Sequence, residues 1–366
     1  MAKNKPLEVG SLITVQDING WYQDNPIKPT KAQASFPLVE NMKGQTWKTI
    51  SNATYLMNEA ADPISLNSKV PNAGRPGFKS IAGEMASFGK GREMDADEIE
   101  QFNDLKKRFE DLKNPASAQA LIDFYGNDLR FVRQSMVAEM SYLSWALISN
   151  ACNLGFVAAN SPYMAGLANM DYSVDTWQKN AVATSWADSS AEILDDIQSV
   201  LDTGETYGKE YLTITVNKTW FTHIRNNEQV QKYAATMVQN LFSTQAPPTL
   251  EAINAMFDSY FSMPVRLEVV DEKVTRASIQ DVKTTANPFQ DGVAVFSLSN
   301  VLGHFEWNGI PIINPTLETR ESFFTVGSVT TVNPNLSEIY AKGRGFPVID
   351  TYSDNFYLKI NAVAWS

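Results

Sequence analysis

"NDLRFVRQSMVAEMSYLSWALISNACN", residues 127–153, places Leu129, Val132, Met136, Met140, Leu143 and Leu147 at intervals of three and four. That spacing predicts one long helix with a single apolar stripe. At about 1.5 Å per residue, some 26 residues span roughly 39 Å, enough to serve as a spine for the rest of the chain. Residues 140–170, which include its end, carry no formal charge. Several Ser and Asn residues together with Gly155 and Pro162 interrupt that stretch, which favours a buried helix end over a membrane span.

Before this helix the sequence changes character twice. Residues 1–50 show little periodicity and are spaced by Pro26, Pro29 and Pro37, which favours an extended arm. Then comes "VPNAGRPGFKSIAG", residues 70–83, with glycines, prolines and cations but few apolar side chains. Such a stretch cannot pack a core of its own. Around it, residues 64–92 carry Lys69, Arg75, Lys79, Lys90 and Arg92 against Glu84 alone, and read as two short strands joined by turns. A charged helix follows, with an acidic start and apolar Ile99, Phe102, Leu105, Phe109 and Leu112 at helical spacing.

After the spine, Ser189 and Glu192 have the spacing of a capping box ahead of Ile193, Leu194, Ile197, Val200 and Leu201, with Gly204 placed as a C-terminal cap. This helix is acidic: Asp188, Glu192, Asp195, Asp196, Asp202, Glu205 and Glu210 face only Lys209. "YLTITV", residues 211–216, reads as a strand with Leu212, Ile214 and Val216 on one face, and two or three helices follow. Beyond Pro264 the pattern is one of short strands and turns, closing on a terminal strand that must pair with something distant. The fold class is α+β with non-local pairing and no internal repeat.

The 366 residues carry a formal charge of −11, which argues against sequence-independent nucleic-acid binding. The single cysteine, Cys152, excludes a disulfide framework and reads as a small buried hydrophobe. The first residues lack a secretory pattern, so the expected location is cytoplasmic. No catalytic constellation emerges. His223 and His304 have no ligand partners at metal spacing, "GKGRE" and "GRGFP" lack the rest of a nucleotide fingerprint, and Asp195 and Asp196 point to different faces of a helix. No catalytic residue, cofactor or metal site is expected.

The order of parts resembles the major capsid proteins of tailed bacteriophages, of the lambda-like capsid protein E type. Three stretches carry the resemblance: "DLRFVRQSMVAEMSYLSWAL" with its mid-helix Glu139; "WADSSAEILDDIQSVLDTGETYGKEYLTITVNKTWFTHIRNNEQV"; and "NPNLSEIYAKGRGFPVIDTYSDNFYLKI", read as an acidic-aromatic helix followed by Pro and a final strand. The resemblance implies an N-terminal arm (1–50), an extended loop with a charged helix at its base (51–126), the spine helix and start of a peripheral domain (127–185), an axial domain (186–345) and a C-terminal strand returning to the peripheral domain (346–366). It implies a structural protein, not an enzyme, that assembles in the host cytoplasm into hexamers and pentamers of an icosahedral virion head. Portal, scaffold and decoration proteins would be its partners, double-stranded DNA its contents, and no membrane is involved. In such proteins the loop reaches over an adjacent subunit. Here that implies contacts between Lys69, Arg75, Phe78, Lys79, Lys90 and Arg92 of one copy and Asp188, Glu192, Asp195 and Asp196 of another. An encapsulin-like nanocompartment shell and an enzyme with dispersed site residues are the alternatives.

Overall fold

The computed structural model describes residues 26–41, 44, 46–52, 78–112, 115–155, 170–237, 247–261, 263–277, 283–313, 318–332 and 335–365. A short helix α1 (Lys31–Ser35) leads into β1 (Leu38–Glu40), β2 (Thr46–Asn52), β3 (Phe78–Glu84) and β4 (Ala86–Met94). Two helices follow, α2 (Ala96–Leu112) and α3 (Pro115–Ser149). The middle of the chain holds β5 (Asn153–Leu154), β6 (Met170–Asp171), β7 (Lys179–Ala181), α4 (Ile193–Thr206), β8 (Thr213–Asn217), α5 (Lys218–Asn226), α6 (Glu228–Met237) and α7 (Leu250–Tyr260). The remainder is β9 (Arg266–Val270), β10 (Val274–Ala277), β11 (Lys283–Ala286), β12 (Val293–Ser297), β13 (His304–Trp307), β14 (Glu318–Glu321), β15 (Phe324–Val332), β16 (Asn335–Val348) and β17 (Phe356–Lys359).

The long helix is present, and longer than its stripe: α3 has 35 residues, roughly 52 Å at the usual rise. It begins at Pro115, since proline is tolerated where the first amide has no helical partner, and runs through Gly126. Its stripe, Leu129, Val132, Met136, Met140, Leu143 and Leu147, is buried in one core with Phe323, Phe324, Val326, Ile339, Phe346 and Val348. Apart from Phe323 in the turn between β14 and β15, those partners belong to a six-stranded sheet in the order β1-β13-β16-β15-β14, with β4 also paired to β16.

β16 overturns one expectation. Residues 335–348, read as part of an acidic-aromatic helix, form a 14-residue strand. The side chains alternate: Ile339, Ala341 and Gly343 are buried while Lys342 is exposed, a period of two, and Gly343, Gly345 and Pro347 are poor helix formers. This sheet also groups residues 304–348 with α3, whereas the sequence reading placed 186–345 in one unit.

A five-stranded sheet, β7-β17-β12-β8-β9, stands between this core and a second one. Ala294, Phe296, Phe356 and Leu358 point into the second core, while Val293, Val295 and Tyr357 point back into the first. The terminal strand therefore pairs with distant partners as expected: antiparallel to β12 and parallel to β7. β8 is buried along its whole length because both faces of the sheet are covered, so its one-faced reading is corrected; Leu212, just outside it, is partly exposed.

The start of α4 also differs. Glu192 occupies the N-cap with no side-chain cap bond, and the Leu194 amide donates instead to Gln229 Oε1 at 2.8 Å. A residue from α6 thus does what Ser189 was expected to do. Gly204 lies inside the helix, where a Cβ would meet the Tyr211 ring at 2.5 Å, and the positive φ of +68° falls on Gly208.

Candidate subunit interface

The basic and acidic residues singled out by sequence have different fates. Lys69 and Arg75 lie outside the described residues. Phe78 and Lys79 open β3, and their side chains lie outside the description as well. Lys90 is exposed on β4, whose backbone is paired with β16 from Met94 opposite Ser337 to Ala86 opposite Gly345. Residues 86–94 are therefore a strand of the main sheet rather than part of a coreless loop, because β16 supplies a ladder for them.

Arg92 is turned to its own chain. Its Nη1 lies 3.0 Å from Asp128 Oδ1 on α3, and its guanidinium sits 5.5 Å from the Phe131 ring centroid. Burial raises the pKa of the Asp128 carboxyl, Arg92 lowers it in part, and Glu98 raises it further. An intrachain pair of this kind uses the charge that the sequence reading assigned to another subunit. Nothing in the sequence near Arg92 signals it, since Asp128 lies across α2 on a different helix.

The acidic residues are brought together around the start of α4. Asp188 accepts from the Ser190 amide at 2.9 Å and its hydroxyl at 2.8 Å, and these bonds lower its pKa. Asp196 turns inward and accepts from Trp186 Nε1 at 2.8 Å. Burial raises its pKa, the indole bond offsets part of the rise, and Asp195 and Glu192 add to it. Glu192 and Asp195 are exposed, with Asp195 accepting from Gln229 Nε2 at 3.1 Å.

Farther along α4, Glu205 is exposed in the last turn, where the helix dipole disfavours carboxylates, Asp202 is exposed just before it, and no basic residue accompanies them in that turn. Lys209, the one cation of the stretch, is buried and ion-paired with Asp354. Among the described residues no ion pair engages Glu192, Asp195, Asp202 or Glu205. A shallow groove on this face is lined by Asp195, Gln198, Ser199, Asp202, Thr203 and Thr206. The arrangement offers carboxylates and amide or hydroxyl groups to a cationic partner.

The two histidines are apart. His223 lies on α5 with its ring 5.2 Å from that of Trp220, and His304 on β13 bonds to Asp350 at 2.8 Å. Among the described residues no group of three or more His, Cys, Asp or Glu could hold a metal ion, and no helix is long and apolar enough to cross a membrane.

No protein-family model and no curated protein sequence matches the chain. Solved structures do match. The putative capsid protein of a prophage of Escherichia coli CFT073 superposes with a TM-score of 0.56 at 11% identity, covering 96% of this chain and 99% of that one. A phage-related protein from Bordetella bronchiseptica RB50 gives 0.53 at 8% identity, again over 96% and 99% of the two chains. The fold is the tailed-phage capsid fold, as the sequence resemblance implied.

Proposed function

We propose that the chain is the major building block of a closed protein shell, the head of a tailed bacteriophage. The observation that carries this reading is the sharing of one α+β fold, over 96% of the chain, with a putative prophage capsid protein. The chain acts by assembly rather than catalysis, forming hexamers and pentamers of an icosahedral virion that encloses double-stranded DNA. Portal, scaffold and decoration proteins of the same particle are its further partners, and assembly takes place in the host cytoplasm. In this reading 51–85 act as the loop that crosses to a neighbour and α3 as the spine, while Ala32, Phe36 and Trp47 of the expected arm are buried in the core around α3.

The exposed carboxylates of Glu192, Asp195, Asp202 and Glu205 are the surface on which basic residues of a neighbouring copy land, with Lys69, Arg75, Lys79 and Lys90 as the donors. Arg92 is withdrawn from that set by Asp128. A negative lining also fits a container for DNA, since a net charge of −11 per copy repels phosphates at short range. Electron microscopy of the purified chain tests the function: closed isometric particles or discrete capsomers are expected. A chain that stays a compact monomer at every concentration and salt would sink the reading.

A further inference from the structure

β2 and β3 form a two-stranded ribbon of their own, paired from Thr46 opposite Glu84 to Asn52 opposite Phe78, with no backbone ladder to either main sheet. In an antiparallel pair, opposite residues share a face. Trp47, Thr49, Ile81 and Gly83 turn towards the body, and Lys48, Ser80, Ala82 and Glu84 turn away. Among the described side chains the attachment begins at Trp47. Trp47 is fully buried between the rings of Tyr172 and Phe346, stacked at 5.7 and 5.4 Å. A Cβ on Gly83 would strike Met170 at 2.3 Å and the Trp47 ring at 3.0 Å, so glycine permits the close approach. Ile50, opposite Ser80 on the outward face, is 57% exposed.

Between the indole and that exposed residue sits a polar link. The Thr49 hydroxyl, itself buried, donates to Asp350 Oδ1 at 2.6 Å, and the other carboxylate oxygen of Asp350 lies 2.8 Å from His304 Nδ1. Asp350 directly follows β16 and Ile349, and His304 opens β13, so the carboxylate joins the ribbon to two strands of the six-stranded sheet. We infer that Asp350 is the catch that fastens the β2–β3 ribbon to the body, and that the protonation of His304 sets how firmly it holds.

The charges around the catch define the direction. Asp350 faces His304 from the turn after β16, Glu306 faces it from two residues along β13, and β2 contributes the neutral Thr49. The bond to Asp350 raises the His304 pKa, burial opposes it, and the charges of Asp350 and Glu306 add to the rise. For Asp350, burial would raise the pKa, but the bonds from His304 and Thr49 and the histidine charge outweigh it and the pKa is lowered. A raised histidine value means that its contribution is complete below the ordinary value near 6.5 and disappears as pH rises through the raised one. A lowered aspartate value means that its contribution persists until pH falls through that lowered value. Above the histidine value the imidazolium gives up one ring proton to solvent; Asp350 keeps its Thr49 bond but loses an ion pair. Because His304 bonds to Asp350 and not to the ribbon, its charge acts on the catch by fixing the half-exposed carboxylate in place, a hold that is complete in weak acid and lost in mild alkali.

Hydrogen exchange read by mass spectrometry on the full chain tests this, comparing amides of β2 and β3 with those of β8 and β12 after correction for the intrinsic pH dependence. In the wild type, ribbon protection should fall several-fold as pH rises through the His304 titration, with β8 and β12 unchanged. H304Q, which keeps a neutral donor, should lose that pH dependence. D350N should raise ribbon exchange about tenfold at every pH, the size expected for one charge-assisted hydrogen bond. Should D350N unfold, as loss of protection in β8 would reveal, T49V removes only the hydroxyl donor and should loosen the ribbon alone. An H304Q ribbon with the wild-type pH dependence, or T49V and D350N ribbons protected as in the wild type, would overturn the inference.

Discussion

The two cores that meet at the five-stranded sheet are built by opposite strategies. The core around α4–α7 draws, among the described residues, on Val182 to Leu267, joined from farther along the chain by β12 and β17 with the adjoining Leu298 and Ile360. Its helix starts are satisfied by near neighbours: Asn217 accepts from the Trp220 amide at 3.0 Å, Thr249 from the Ala252 amide at 3.2 Å, and Gln229 from the Leu194 amide. The core around α3 instead gathers residues from Ala32 to Tyr357. It is joined by partly buried polar links over long separations: Arg133 with Glu321, Trp145 and the Ala32 amide with Glu272, and Arg276 with Glu139 at 3.4 Å. Local packing makes a unit that closes on itself. Packing from distant segments makes a frame from which the ribbons β2–β3 and β10–β11 stand apart, and all four residues of β11 are exposed.

If the frame depends on its polar links, the largest effect should come from cutting one. Arg133 is almost fully buried and grips Glu321 through Nε at 2.7 Å and through Nη2. R133M, which leaves Glu321 without its partner, should cost about 3 kcal/mol in urea unfolding. A loss below about 1 kcal/mol would mean that the frame does not rest on this link. The local core should respond to a cavity: I197A, at a fully buried position of α4, is expected to cost about 2–4 kcal/mol. Both variants should shift one shared transition, because β12 and β17 belong to both cores. Two separable transitions would break the comparison and make the cores independent.

Smaller effects sharpen it. Q229A removes the donated cap of α4 and should cost about 1 kcal/mol, whereas S189A should change stability little. Cys152, buried between α3 and β17 with its sulfur 2.8 Å from the Tyr357 hydroxyl, has a thiol pKa pushed up to about 12 by burial. Iodoacetamide at pH 8 should leave it unmodified in the folded protein, and its alkylation should follow global unfolding across a urea series. Fast alkylation in native buffer would show that the shared sheet opens on its own.

The same contrast explains what could be read in advance. The stripe from Leu129 to Leu147 was legible because every position faces one core, and α4, α5 and α7 were legible because their apolar residues recur within one helix. β16 was not, because Glu338 and Tyr340 mimic a helix surface until β4 and β15 supply ladders on either side. The acidic face of α4 was visible as composition, but that Lys209 turns inward to Asp354 and Arg92 to Asp128 needed the fold. Both withdrawals have one physical cause: a partner far away in sequence and adjacent in space.

In the proposed shell the uncompensated face of α4 is kept for another copy of the chain. Asp202 and Glu205 sit at the helix end where their charge is unfavourable, so D202K/E205K should stabilise the subunit by about 0.3–1 kcal/mol per site. Sedimentation velocity of this variant beside the wild type, at low and high salt, is the most direct test. Large particles are expected for the wild type, subunits or small oligomers for the folded variant at low salt, and partial recovery at high salt as the mismatched charges are screened. A folded variant that assembles like the wild type at low ionic strength would contradict that use of the α4 face.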